Sequence, residues 1–231
     1  MKHVMLDFET MGLNDRAAVV ALGAVQFSPT LGIIEDTFYA RIELESAMAA
    51  GLVVDPGTIL WWLKQSEAAR AELFDRELER YPLNLALVAF SNWLSPDEDE
   101  ELPMHPDTLE VWASSRKDFT WLDSAYAAVG MKNPVDYRSE RCFRTLRQEF
   151  AHVQCEYGGT AHNAIDDATN QALHLAAINR YRAAQAEALE PFFTKDELDA
   201  YNATVSYHAA ESANDEGLAA LMAARKKRLG L

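Results

Sequence analysis

A chain of 231 residues with 49% hydrophobic side chains is long enough to bury a sizeable core, which excludes a wholly disordered protein. Against 36 Asp and Glu stand only 21 Lys and Arg. The net charge of -15 excludes a broad basic surface for tracking nucleic acid, but not a local cleft where divalent cations reverse the field. Cys142 and Cys155 have no metal-binding or redox spacing, no apolar run can span a bilayer, and no signal-like segment opens the chain; we expect a soluble, cytoplasmic protein with structural thiols and no membrane role.

In chain order, Lys2 to Phe8 reads as a strand, and residues 17–27 (AAVVALGAVQF) form the near-continuous apolar run of a central strand. Gly23 inside that run marks a close backbone approach or a bulge. A turn over 28–32 leads to a third strand, Ile33 to Ile42, and such short connections predict an antiparallel three-strand meander. A helix opens at DPGTILWWLKQSEAARAEL, with Asp55 as N-cap and Pro56 at its first position, and PLNLALVAFSNWL gives a second with a strong apolar face.

The proline- and acid-rich stretch 95–107 reads as a solvated loop, and 108–114 as a fourth strand. Helices follow over 117–130, ended by Gly130, over Arg141 to Phe150, and over Asn163 to about Ala184. Beyond Glu190, Thr194 and Glu197 have capping-box spacing and NDEG (214–217) separates two helical segments. We therefore expect an α/β fold with a mixed sheet flanked by helices over residues 1–184, and a C-terminal helical extension over 185–231.

Two stretches carry chemistry. In LDFET, Asp7 and Glu9 share one face of the first strand about 7 Å apart, a repulsive pair on a partly buried sheet unless something positive lies between them. In GGTAHNAIDDATN (158–170), Asn163 is placed to cap the long helix, and Asp166 has a sufficient structural role near its N-terminus. Asp167, five residues after His162, is left available for a site.

Together with an Asp on the helix after the fourth strand, these fragments resemble the three motifs of the DEDDh 3'-5' exonucleases of the ribonuclease H-like superfamily. The resemblance covers about residues 1–183 and looks closest to phage and bacterial exonucleases of the ribonuclease T-like branch, including the WWLKQS and FRTL stretches. Residue by residue, Asp7 and Glu9 match the first motif, with Thr10 following as it commonly does. Asp118 matches the second, and His162, Ala164 and Asp167 match H-x-A-x-x-D. Relatives usually carry an apolar or aromatic residue before the second Asp, where this chain has Lys117, and Asp123 on the same helix competes with Asp118 for that place.

The resemblance implies two Mg²⁺ or Mn²⁺ ions held by Asp7, Glu9, Asp118 and Asp167, and His162 as the base that takes a proton from the attacking water. It further implies hydrolysis of single-stranded nucleic acid from its 3' end to nucleoside 5'-monophosphates, with no covalent intermediate. Many relatives in the branch are dimers, so a homodimer contact through the C-terminal helices is a further expectation.

Trp61 and Trp62 are candidates to stack on a base, but neighbours on a helix project about 100° apart, so at least one belongs to the core; we assign Trp61, with Thr10, to substrate binding. Phe8 reads as core. The basic ARKKRLGL at the C-terminus reads as a complement to a helix dipole rather than a phosphate site, and the acids of 97–101 as a solvated run. His3, His105, His152, His174 and His208 receive no role. Two other functions fit the pattern: a non-catalytic member of the same fold that binds nucleic acid or a protein partner, and a hydrolase of small nucleotides.

Overall fold

The computed structural model describes residues 1–75, 77–95 and 103–189, the last four by backbone alone. The chain divides into two compact units, Met1–Ala177 and Ile178–Leu231. The described part of the second is the end of one long helix. The first holds a five-stranded sheet of β1 (Lys2–Thr10), β2 (Val19–Phe27), β3 (Ile34–Arg41), β4 (Leu109–Ala113) and β5 (Glu140–Cys142), in the order β3-β2-β1-β4-β5. The β1/β2 and β2/β3 pairs are antiparallel, the expected meander, whereas β1/β4 and β4/β5 are parallel.

The helices are α1 (Leu44–Ala49), α2 (Pro56–Trp62), α3 (Glu67–Phe74), α4 (Leu83–Leu94), α5 (Arg116–Ala128), α6 (Phe143–Glu149) and α7 (Ala164–Leu189). Val4, Leu6 and Phe8, on one face of β1, join an apolar cluster with Leu87 and Phe90 of α4 and Leu122 and Tyr126 of α5. That packing turns Asp7 and Glu9 to the opposite face, since side chains alternate along a strand.

Gly23 decides what covers that face. It pairs directly with Asp7, and a Cβ placed on it would lie 2.3 Å from the carbonyl carbon of Ala164. The glycine thus marks a close approach: the first turn of α7 rests on β2 beside Asp7. The irregularities in strand pairing fall elsewhere, between Glu9 and Thr10 and between Gln26 and Phe27.

Two readings of the elements change, and one short helix was not read at all. The helix expected from Asp55 onward is two, because Ser66 accepts from the Ala69 N–H at 3.2 Å and starts α3 afresh. The start of the expected 141–150 helix belongs to β5, whose three residues pair with Val111–Ala113 and are too few to show an alternating pattern. Helix α1 is six residues long and its N-cap, Glu43, makes no side-chain capping bond that could have announced it. The capping box at Thr194 and Glu197, the NDEG break, the basic C-terminal cluster and the acids of 97–101 lie outside the described residues. Among the described residues no helix is long and apolar enough to cross a membrane.

Candidate active site

Three elements deliver the acids. β1 presents Asp7 and Glu9, the latter buried. At the start of α5, Ser115 and Asp118 form a capping box: Asp118 Oδ2 accepts from the Ser115 backbone N–H at 3.0 Å and lies 3.3 Å from the Ser115 hydroxyl. Asp118 is buried and close enough to raise the pKa of both Asp7 and Glu9. Its competitor Asp123 is exposed and accepts from Asn133 at 2.6 Å, and Lys117 turns outward to Asp15 at 2.5 Å. An exposed lysine therefore fits before the second motif's aspartate.

The third element is the start of α7. Asn163 Oδ1 accepts from the backbone N–H of Ile165 at 3.1 Å and of Asp166 at 3.4 Å, the expected cap. Asp166 reaches back to the Thr160 N–H at 2.8 Å, a structural role fulfilled on the preceding loop rather than on the helix itself. Asp167 Oδ2 accepts from the His162 N–H at 3.0 Å and so ties the histidine's backbone to the helix. His162 has φ 64°, the left-handed region in which a non-glycine residue persists only where its surroundings hold it. One ligand atom each from Glu9, His162 and Asp167 lie within 4.8 Å of one another. Asp7 and Asp118 stand beside this group rather than inside it.

Helix α2 closes one side. Trp62 is buried and its indole N–H donates to the Thr10 carbonyl at 3.0 Å, while Trp61 is 42% exposed. Both rings meet His162 edge-on, with centroids 4.9 Å away for Trp61 and 6.0 Å for Trp62. The adjacent tryptophans thus split between surface and core, as helical geometry requires. The Thr10 hydroxyl donates to the Gly12 carbonyl at 2.8 Å, which fixes the turn after β1. A cavity of about 450 Å³ opens beside these groups, walled by Glu9, Thr10, Leu13, Trp61, Trp62 and Trp121 among others.

Burial is the main cause that pushes every one of these acids toward its neutral form. Asp7 is raised well above the ordinary range by burial, then by Asp118, Glu9 and Asp167, against a hydrogen bond from Gln171. Burial and then the charges of Asp167 and Asp118 push Glu9 up to about 8. Asp118 is pushed up to about 6 by burial, opposed by hydrogen bonds from Ser115 and the Phe8 backbone. Asp167 is raised by burial, opposed by the His162 N–H and imidazole.

The sign of the linkage follows. Carboxyls with raised folded-state pKa values bind more protons folded than unfolded, so the metal-free protein is more stable below the unfolded values and loses stability as pH rises toward 8. Melting temperatures in EDTA are expected to fall between pH 5 and pH 8, and millimolar Mn²⁺ to reverse the trend, because cations bind the ionised form. A flat profile in EDTA would remove this electrostatic picture.

One residue was not anticipated. Gln171, one turn beyond Asp167 on α7, donates from Nε2 to Asp7 Oδ1 at 3.0 Å. Its i, i+4 spacing from Asp167 is the signal that places it on the same helix face.

Such a mixed sheet, with an acid pair on its central strand and further acids and a histidine gathered from two helix starts, is the arrangement that the resemblance to the DEDDh 3'-5' exonucleases leads one to expect. Residues 2–179 match the family model described as the 3'-5' exoribonuclease Rv2179c-like domain, and the chain belongs to that family. Among solved structures it is similar in fold to a 3'-exonuclease determined in work on 3'-end specific recognition of histone mRNA stem-loop, with TM-score 0.50 and 15% identity over 79% of this chain and 82% of that one. It also resembles exonuclease I, with TM-score 0.51 and 10% identity over 85% of this chain, which spans 46% of that one. A search of curated proteins finds no match.

Proposed function

We propose that this protein is a divalent-metal-dependent exoribonuclease that removes nucleoside 5'-monophosphates one at a time from the 3' end of single-stranded RNA in a reducing cytoplasm. The observation that carries it is the group of Glu9, Asp167 and His162, with one ligand atom of each within 4.8 Å of the others, and Asp7 and Asp118 beside it, close enough to raise the pKa of Glu9 or of one another. The description of the family supports RNA as the strand, and the free thiols of Cys142 and Cys155 suit a reducing compartment.

The donor set fits the cofactor. Four carboxylates and no thiolate favour Mg²⁺ or Mn²⁺, and a buried amide oxygen of Gln171 without a hydrogen-bond partner leaves an acceptor for a hydrated ion. Asp7, Glu9, Asp118 and Asp167 would hold two such ions. When bound, they acidify a water and stabilise the charge on the departing 3' oxygen.

The chain's own groups do the rest. His162, braced by Trp61 and Trp62 and by the bond from its N–H to Asp167, accepts the proton of the attacking water at an imidazole nitrogen. The water oxygen joins phosphorus, the bond from phosphorus to the 3' oxygen breaks, and the 3' oxyanion of the shortened chain takes a proton from solvent. Trp61 offers a face to the terminal base, and Thr10 walls the same cavity. A cleft that grips only the last nucleotides is compatible with a net charge of -15.

End-labelled single-stranded RNA, single-stranded DNA and duplexes, digested side by side with Mg²⁺, test the reading. Stepwise shortening from the 3' end, fastest on single-stranded RNA and stopped by EDTA, is expected. Internal cleavage, or activity that persists in EDTA, would contradict it. Trp61→Ala should raise KM for an oligonucleotide about tenfold, the scale of one lost stacking contact, with Trp61→Phe close to wild type; an unchanged KM would remove Trp61 from the substrate path.

A further inference from the structure

Gln171 is 8% exposed, and its amide is only half used. Nε2 donates to Asp7 Oδ1 at 3.0 Å, whereas Oε1 is buried with no hydrogen-bond partner. A buried carbonyl oxygen left unpaired is destabilising, and an apolar side chain of similar size would avoid the cost. With a cation bound, Asp7 is ionised and only accepts, so the amide cannot turn to hide the oxygen: the NH₂ end faces Asp7, as it does at 3.0 Å, and the oxygen is presented to whatever lies alongside.

The position of Gln171 says what that is. It stands one helical turn after Asp167, on the α7 face that meets β1 through a contact spanning 164 residues of sequence. A hydrated divalent cation held by Asp7 would bring donors to this wall, since Mg²⁺ usually keeps several of its waters. We infer that Gln171 is a positioning residue of the cation site: its N–H holds the Asp7 carboxylate in one orientation, and its Oε1 accepts a hydrogen bond from a cation-bound water. This rests on the reading of the acids as a divalent-cation centre.

Mn²⁺ binding to the full chain, followed by the loss of free-ion electron paramagnetic resonance signal, needs no substrate and so reads the site apart from catalysis. Gln171→Met keeps the side chain's length but neither hydrogen-bonding end, and is expected to weaken Mn²⁺ binding about tenfold or more, the scale on which residues that orient ligands act. Its circular dichroism in EDTA should match wild type. Gln171→Ala, which leaves room for a water to replace the amide, should weaken binding less, and serves if the Met variant fails to fold. Mn²⁺ affinity equal to wild type in whichever variant folds would overturn the role of Gln171 alone. A wild-type protein that binds no Mn²⁺ would overturn the cation reading itself, and the inference with it.

Discussion

Asp7→Asn is expected to lower exonuclease activity by about 10³-fold or more, well beyond the 10–100-fold typical of losing a residue that merely supports a ligand. The same substitution should raise the melting temperature of the EDTA-treated protein at pH 8. Asp7 is half-buried beside Asp118 and Glu9, and its carboxyl is driven toward the neutral form first by loss of solvent and then by those charges. An asparagine removes the charge and leaves an oxygen for Gln171 to donate to, so the metal-free fold gains while the cation site loses its central ligand. Opposite signs for stability and activity are the mark of a residue kept for function at a cost to folding. Asp123→Asn, on the same helix as Asp118 but exposed and bound to Asn133, should leave activity near wild type. Retained activity in Asp7→Asn, or equal losses in the two variants, would refute the assignment.

Gly23→Ala should damage both stability and activity although it adds one methyl group and no charge. The added Cβ would lie 2.3, 2.4 and 2.5 Å from Ala164 C, Ile165 N and Ala164 O, backbone atoms that cannot swing aside. The first turn of α7 must lift from the sheet. Overpacking of this kind costs about 1–3 kcal/mol. That turn carries Asp167 and, through it, His162, and misplacing reacting groups by about 1 Å costs on the order of 10²-fold in rate. A melting curve together with kcat checks the prediction; a variant with wild-type values of both would mean that α7 does not rest on β2 as described.

How far the molecule was legible in its residues depends on how local each signal is. The meander could be read because the run through β2 is apolar and its connections are too short for crossovers. The parallel edge strand β5 could not, since three residues carry no periodicity. Nor could the break between α2 and α3, which rests on Ser66 taking up the Ala69 N–H rather than on a glycine or proline.

Within the site, Asp7 and Glu9 stood out as like charges on one strand face, and His162 and Asp167 through their resemblance to the motif H-x-A-x-x-D. Asp118 and Asp123 were harder to separate because both lie on α5. What distinguishes them is the capping box with Ser115 and the depth of burial, and burial is a property of the assembled sheet and helices. For Gln171 the residues give only its place on the helix face of Asp167, four positions earlier. Nothing in a glutamine at mid-helix announces that it meets a carboxylate 164 residues earlier in the chain. Gly23 was readable only as a choice between a bulge and a close approach, and the backbone of Ala164 lying against it decides the choice.

The central claim is that these acids form one cation centre. Equilibrium dialysis that counts Mn²⁺ bound per chain at pH 8 tests it most directly: about two ions are predicted for the wild type, as in other paired-metal nuclease sites, a loss in Asp7→Asn, and the wild-type count in Asp123→Asn. No saturable binding, or a count untouched by Asp7→Asn, would contradict it.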